Sequence, residues 1–122
     1  VNSTVVLIAV AAIVLLFVIL KRGGQISPGD AQSYLRNGAL VMDVRSPAEF
    51  ASGHLPGAIN IPLAELDTAL PRRVKDKNQV LLLHCQSGMR SGVAAKKMKL
   101  LGYANSFNLG SYSRAAQLVN SK

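Results

Sequence analysis

Val80-Leu81-Leu82-Leu83-His84-Cys85-Gln86-Ser87-Gly88-Met89-Arg90-Ser91-Gly92 joins an apolar run to a polar, glycine-containing loop and then to a helical pattern. It holds the chain's one cysteine. Read in order, it is a strand, a tight loop and a helix N-terminus. Successive backbone N–H groups of Gln86, Ser87, Gly88, Met89 and Arg90 can turn inward there as an anion nest. Gly88 permits the backbone angles that such a nest needs. A helix N-terminus and a neighbouring arginine both favour the thiolate over the thiol, whose reference pKa is about 8.5. Cys85 therefore reads as a reactive sulfur in a cradle for an anionic group: a persulfide, a sulfonate or a phosphate. A buried small hydrophobe at a strand end is the plainer reading of a lone cysteine, but it has no use for the glycine loop and Arg90.

The segments around this stretch alternate between strand and helix patterns. Ser27-Pro28-Gly29-Asp30 starts a helix, with Ser27 as N-cap and Pro28 at the first position, and Gly38 ends it. Ala39 to Val44 is a short buried strand. Ser46-Pro47-Ala48-Glu49 is a capping box opening a helix that ends near Ser52-Gly53. Ile59-Asn60-Ile61 is a short strand, Pro62 to Leu70 a helix, and Arg72–Asn78 a polar connection. Ser91 to Leu101 is helical, Ser106 to Leu109 a last strand, and Ser113 to Val119 a closing helix. This alternation predicts an α/β domain with a mostly parallel sheet. Ligands in such sheets bind at the carboxyl ends of the strands, where Cys85 and Asp43 both fall.

The first residues read differently. Val5 to Leu20 is an unbroken run of 16 apolar residues, followed by Lys21-Arg22. As a helix it spans roughly 24 Å, and with its polar flanks it can just reach across a hydrocarbon core of about 30 Å. The charge follows the run rather than preceding it, and no small-x-small site comes after it. An uncleaved anchor is therefore favoured over a signal peptide. The expected organisation is a transmembrane anchor at 1–22, a short joint at 23–25 and a globular domain at 26–122. The positive-inside tendency assigns the Lys21-Arg22 side, and the domain with it, to the cytoplasm, the periplasmic or other extracytoplasmic side being the alternative.

Composition narrows the function. The chain carries a formal net charge of +8, with basic clusters at Arg72, Arg73, Lys75 and Lys77 and at Lys96, Lys97 and Lys99. With no Trp, 3 Tyr, 3 Phe and no recognisable motif, nucleic acid is not the expected partner. Solvated surface near anionic lipid is the simpler account of the clusters. A single cysteine forms no internal disulfide and suits a reducing compartment. One Cys and two His without zinc spacing argue against a metal site, and no cofactor is expected.

Four segments together identify a family. They are Val41-Met42-Asp43-Val44-Arg45, Glu49-Phe50, Gly53-His54-Leu55-Pro56-Gly57-Ala58-Ile59-Asn60-Ile61-Pro62, and His84-Cys85-Gln86-Ser87-Gly88-Met89-Arg90-Ser91. In this order and spacing, residues 26 to 119 resemble a single rhodanese-like (sulfurtransferase) domain. The resemblance implies a central parallel sheet of about five strands flanked by helices, and a persulfide carried on Cys85. It implies that Asp43 and Arg45 brace the domain near the active loop, as a buried acid and an internal ion pair, and that His54 is structural. The four residues between Cys85 and Arg90 match the six-residue loop of the sulfurtransferases. The related cell-cycle phosphatases have one residue more and would want an acid to protonate the leaving oxygen, and none is evident near the loop. Two departures stand out. No Trp follows the last strand, and Gln86 takes a position that is often arginine, which bears on the choice of donor.

The expected reaction is transfer of sulfane sulfur from thiosulfate or a persulfide donor to cyanide or a thiol. Cys85 would be the nucleophile, with Gln86, Ser87, Gly88, Met89 and Arg90 binding the anion. The expected partners are a small anionic donor, a thiol or cyanide acceptor, a protein sulfur acceptor, and the membrane through the N-terminal helix. The alternative is a membrane-tethered binding or sulfur-relay module with little small-molecule turnover. A phosphatase or arsenate reductase ranks below both.

Overall fold

The computed structural model describes residues 2–22 and 24–121, with the side chains of residues 19–22 outside that description. The Lys21 and Arg22 side chains, on which the expected orientation rests, and Gly23 of the expected joint thus lie outside the described residues. Helix α1 (Ser3–Arg22) comes first, and the described side chains along it are exposed. Then follow α2 (Pro28–Arg36), β1 (Leu40–Asp43), α3 (Pro47–Ser52), β2 (Ile59–Asn60), a 3-10 turn (Leu63–Glu65), α4 (Leu66–Arg73), β3 (Leu81–His84), α5 (Met89–Leu100), β4 (Ser106–Gly110) and α6 (Tyr112–Asn120).

All strand pairs are parallel, in the order β2-β1-β3-β4. β3 lies inside the sheet and all four of its residues are buried. This is why it reads as a continuous apolar run rather than an alternating one. Alternate residues face opposite layers. Met42, Leu81 and Leu83 pack with Leu66 and Leu70 of α4 and with Ala94 and Met98 of α5. Val41 and Leu82 pack with Ala31 and Leu35 of α2 and with Ala115 and Leu118 of α6. The sheet is thus sandwiched between two helical layers. β1 connects outward to β2 on one side, and β3 connects to β4 on the other. Neighbouring strands whose connections diverge leave a crevice at their carboxyl ends. Asp43 pairs with His84 at that edge, and Cys85 is the next residue.

Two expectations are corrected. The sheet has four strands among the described residues, not about five. Those four are the segments that the sequence reading assigns to strands; the fifth came from the family resemblance. Gln25 does pair with Asn108 beside β4, but as an isolated bridge. Ser27 then caps α2, accepting from the Asp30 N–H, and Pro28 commits the chain to helix before a strand can extend.

The second correction concerns the anchor. Among the described residues no helix is long and apolar enough to cross a membrane. The single-pass membrane placement, the transmembrane helix and the membrane as partner are therefore unsupported. The physical shortfall is length: 16 apolar residues rise only about 24 Å against a core of about 30 Å.

Smaller differences have local causes. The helix expected over Pro62 to Leu70 is a 3-10 turn followed by α4, which continues to Arg73. Leu66 and Leu70, one turn apart, are both buried, and Arg72 and Arg73 sit in the last turn, where the helix dipole favours cations. Helix α5 begins at Met89, two residues before the expected start.

Candidate active site

The site is assembled at the carboxyl end of β3. Its central residue, Cys85, is 0% exposed, and the Cys85 N–H donates to the Gly110 carbonyl at 3.3 Å. A shift in register between Leu83 and His84 brings Gly110, rather than Leu109, opposite His84. That bulge seats the end of β4 under the loop.

The loop folds back over the sulfur. The Gly88 N–H donates to Cys85 Sγ at 3.0 Å, and the Ser91 N–H and hydroxyl reach it at 3.5 Å each. Gly88 has φ +95°, and a Cβ there would lie 3.3 Å from the Gly110 carbonyl carbon. Both facts favour glycine at this position. Burial pushes the Cys85 thiol up, but the hydrogen bonds from the Ser91 hydroxyl, the Ser91 N–H, and the Gly88 and Ser87 N–H groups outweigh it. The net pKa is lowered from the ordinary value.

Ser91 has one hydroxyl proton and several acceptors. Asn108 Oδ1 stands at 2.7 Å, the Gly88 carbonyl at 3.2 Å and Sγ at 3.5 Å. With a neutral thiol the proton goes to Asn108; a thiolate or persulfide anion competes for it. Asn108 in turn donates to the Gly88 carbonyl at 3.1 Å and accepts the Gly110 N–H at 2.9 Å. It is a buried polar post linking β4, the loop and α5.

Of the other predicted site residues, Gln86, Ser87 and Met89 are exposed at the loop's rim. The Gln86 carbonyl accepts from the Tyr112 N–H, and Ser87 bridges to Ser111, which fastens the loop to the start of α6. The Met89 N–H lies 3.5 Å from Ser87 Oγ rather than on the sulfur.

The Arg90 guanidinium grips Glu49 of α3 in a two-pronged ion pair of 2.7 and 3.0 Å. Arg90 is raised chiefly by this bond. Arg90, first with its hydrogen bond, and then the Ser46 N–H hold Glu49 down at about 2. An acid therefore does stand near the loop, contrary to expectation, but it carries no proton at neutral pH.

Asp43 and Arg45 lie beneath. Asp43 accepts the Arg45 N–H at 2.9 Å and its guanidinium at 2.7 to 3.0 Å. Arg45 also donates to the Gly53 carbonyl and lies over the Tyr112 ring. The His84 imidazole is wholly buried, with Nδ1 3.2 Å from the Cys85 carbonyl. Its pKa is lowered by burial, against the Cys85 carbonyl and Asp43, which raise it. The neutral ring that donates from Nδ1 leaves Nε2 without a partner, 3.7 Å from Asp43 Oδ2. His54 is exposed, stacked on Phe50 at 3.8 Å, with Nδ1 2.9 Å from the Phe50 carbonyl.

Three residues of this arrangement escaped the sequence reading as site members: Ser91, Asn108 and Glu49. Ser91 had a usable signal, a hydroxyl in the first turn of the helix after the cysteine. Glu49 was read as a capping residue and a family landmark but not as a site member, and Asn108 gave no sign.

Residues 27–116 match the family model described as a rhodanese-like domain. The chain is 38% identical to the thiosulfate sulfurtransferase PspE of Escherichia coli (strain K12) over 69 residues, 57% of this chain and 66% of that protein. It is 35% identical to the thiosulfate:glutathione sulfurtransferase of Homo sapiens over 96 residues, covering 68% of this chain and 84% of the relative. A solved structure described as a rhodanese with anions from E. coli superposes with a TM-score of 0.60 at 34% identity, covering 63% of this chain and 91% of the other. The chain spans 66% and 55% of the first two curated relatives that it matches.

Proposed function

Because the chain belongs to the rhodanese-like domain family of sulfurtransferases, we propose that it moves sulfane sulfur from thiosulfate or a persulfide donor to cyanide or a thiol through a persulfide on Cys85. The observation that carries this reading is the hydrogen-bonded seat of Cys85 Sγ, with the Gly88 N–H at 3.0 Å and Ser91 behind it, at the N-terminus of α5.

The Cys85 thiolate attacks the outer sulfur of thiosulfate. A Cys85 S–S bond forms, the sulfur–sulfur bond of the donor breaks, and sulfite leaves with the electron pair. Charge balances, since one thiolate and a dianion become one persulfide anion and a dianion. The persulfide's terminal sulfur keeps its negative charge beside the fixed N–H donors that hold Sγ, and such preset dipoles stabilise an anion without reorganising. Cyanide or a thiolate then attacks that terminal sulfur. The bond to Cys85 breaks and the thiolate returns. No general acid or base enters either step, which suits a site where the acid beside the loop, Glu49, is ionised at neutral pH. A phosphatase reading has less support for the same reason, since the leaving alkoxide would find no proton there.

Arg90 serves by position rather than as a free cation, since Glu49 occupies two of its N–H groups. Its remaining donors and the Gln86 side chain at the rim are the groups available to a donor's sulfonate. Sulfur-transfer relatives imply a donor and an acceptor in general terms. The test is turnover of thiosulfate and cyanide to thiocyanate by the full chain beside Cys85→Ser, with the mass of the thiosulfate-treated protein. Wild type should gain the mass of one sulfur atom and turn over, and the variant should do neither. Wild type that gains no sulfur from thiosulfate or from a persulfide donor would overturn the proposal.

A further inference from the structure

We infer that the exposed face of α5 is a docking surface for a protein that takes sulfur from Cys85, an acidic partner presenting a thiol beside apolar side chains. Outside α1, the large apolar side chains exposed among the described residues are Met89 at 78%, Val93 at 57% and Leu100 at 89%. Singly exposed apolar residues are ordinary. These three are not scattered, since all belong to one helix. At 100° per residue, Met89, Val93, Lys96 and Leu100 fall within about 60° of arc, on one stripe roughly 17 Å long. The core-facing residues Ser91, Ala94, Ala95 and Met98 leave this stripe to solvent.

The charge of the helix selects the partner. α5 carries Arg90, Lys96, Lys97 and Lys99 and no acidic residue. Arg90 is taken by Glu49 and Lys97 by Asp67, while Lys96 has no ion-pair partner among the described residues and sits within the stripe. An apolar strip with an uncommitted lysine at its centre, on a chain of net charge +8, complements an acidic surface with an apolar patch and speeds encounter with it.

The stripe is also continuous with the site. It starts at Met89, one residue beyond the Gly88 that holds the sulfur. Cys85 itself is buried, so a thiol on a macromolecule reaches its persulfide only if that molecule's surface closes over the loop's rim at Gln86, Ser87 and Met89. Any such surface extends naturally along α5. In the transfer, the partner's thiolate forms a bond to the terminal sulfur, the bond to Cys85 breaks, and the electron pair returns to Cys85 as thiolate.

The inference rests on the persulfide reading, and the experiment separates the two. The probes are three synthetic peptides, each with one cysteine: one rich in Glu and Leu, one with Lys in place of each Glu, and the acidic one with Ser in place of Cys. Persulfide-loaded full chain should pass sulfur to the acidic peptide about tenfold faster than to the basic one, with the preference falling as salt rises. Lys96→Glu and the double change Val93→Glu, Leu100→Glu should remove the preference while leaving the thiosulfate and cyanide rates and the unfolding midpoint unchanged. The serine peptide should bind unloaded wild type and not the variants, which reads docking without sulfur chemistry. If Cys85 takes no sulfur while the serine peptide still binds, the persulfide reading fails and the surface stands. Equal rates with acidic and basic peptides, or variants indistinguishable from wild type, would overturn the surface. So would self-association of the chain, or adsorption to anionic phospholipid vesicles, that Val93→Glu abolishes, because the face would then belong to a second copy or to lipid.

Discussion

At Cys85, hydrogen-bond donors from the loop and the first turn of α5 oppose the penalty that burial places on a sulfur anion. Desolvation opposes the thiolate, and donors from Ser91, Gly88 and Ser87 reverse that effect. Ser91→Ala removes the hydroxyl and leaves its N–H in place. The pH dependence of Cys85 alkylation by iodoacetamide should then move to higher pH, and the rate at neutral pH should fall about tenfold, the scale of one charge-assisted hydrogen bond. An unchanged profile would mean that Asn108 keeps the proton throughout. Gly88→Ala forces a Cβ onto a backbone at φ +95° and against the Gly110 carbonyl carbon. It should cost about 1–3 kcal/mol in urea unfolding and displace the N–H that bonds the sulfur.

At the scale of elements, α3 is the least anchored part of the site. Its six residues include none that is buried. It is held by the capping box, in which Ser46 Oγ accepts the Glu49 N–H and Glu49 accepts the Ser46 N–H, and by the Glu49–Arg90 ion pair across 41 residues of sequence. Ser46→Ala should lower stability by about 1 kcal/mol and speed hydrogen exchange of the α3 amides. The KM for thiosulfate should rise as Arg90 loses its fixed partner, while the cyanide step is unaffected. A loss of stability with no change in KM would separate α3 from anion binding.

Across the whole molecule, the sheet's carboxyl edge stacks polar groups in depth: Asp43, Arg45 and His84 buried below, the sulfur above them, and Arg90 with Glu49 at the side. The lowered pKa of His84 gives this stack a pH dependence. Below the ordinary histidine value of about 6.5 the unfolded chain takes up a proton that the folded chain refuses. The unfolded state binds more protons in that window, and stability falls with falling pH. The urea midpoint of wild type should therefore drop as pH goes from about 7 toward 5. His84→Leu should flatten that slope over the same range. A wild-type midpoint that holds constant there would show that His84 finds its proton in the folded state.

Interactions between near neighbours in the chain are legible in its sequence. Ser27 with Asp30, Ser46 with Glu49 and the four short strand segments all form within a few residues, so residue type and spacing suffice to read them. Family resemblance added Asp43 and Arg45. It also suggested a fifth strand, which the helix start at Ser27-Pro28 precludes at the edge of β4. What spacing cannot reveal is which distant residues share an edge. Glu49 on Arg90 and Asn108 beneath Ser91 depend on sheet order and on the bulge at His84, both set by long-range packing. The N-terminal run divides the same way. Its apolar character is plain in the sequence, but a span needs length as well, and its apolar residues rise only about 24 Å as a helix against a hydrocarbon core of about 30 Å. Residue type and spacing specify a thiol in a short, glycine-containing loop ahead of a helix. That the neighbouring acid is locked as a carboxylate on Arg90 emerges from the fold, because that proton's fate depends on a contact the chain makes only once folded.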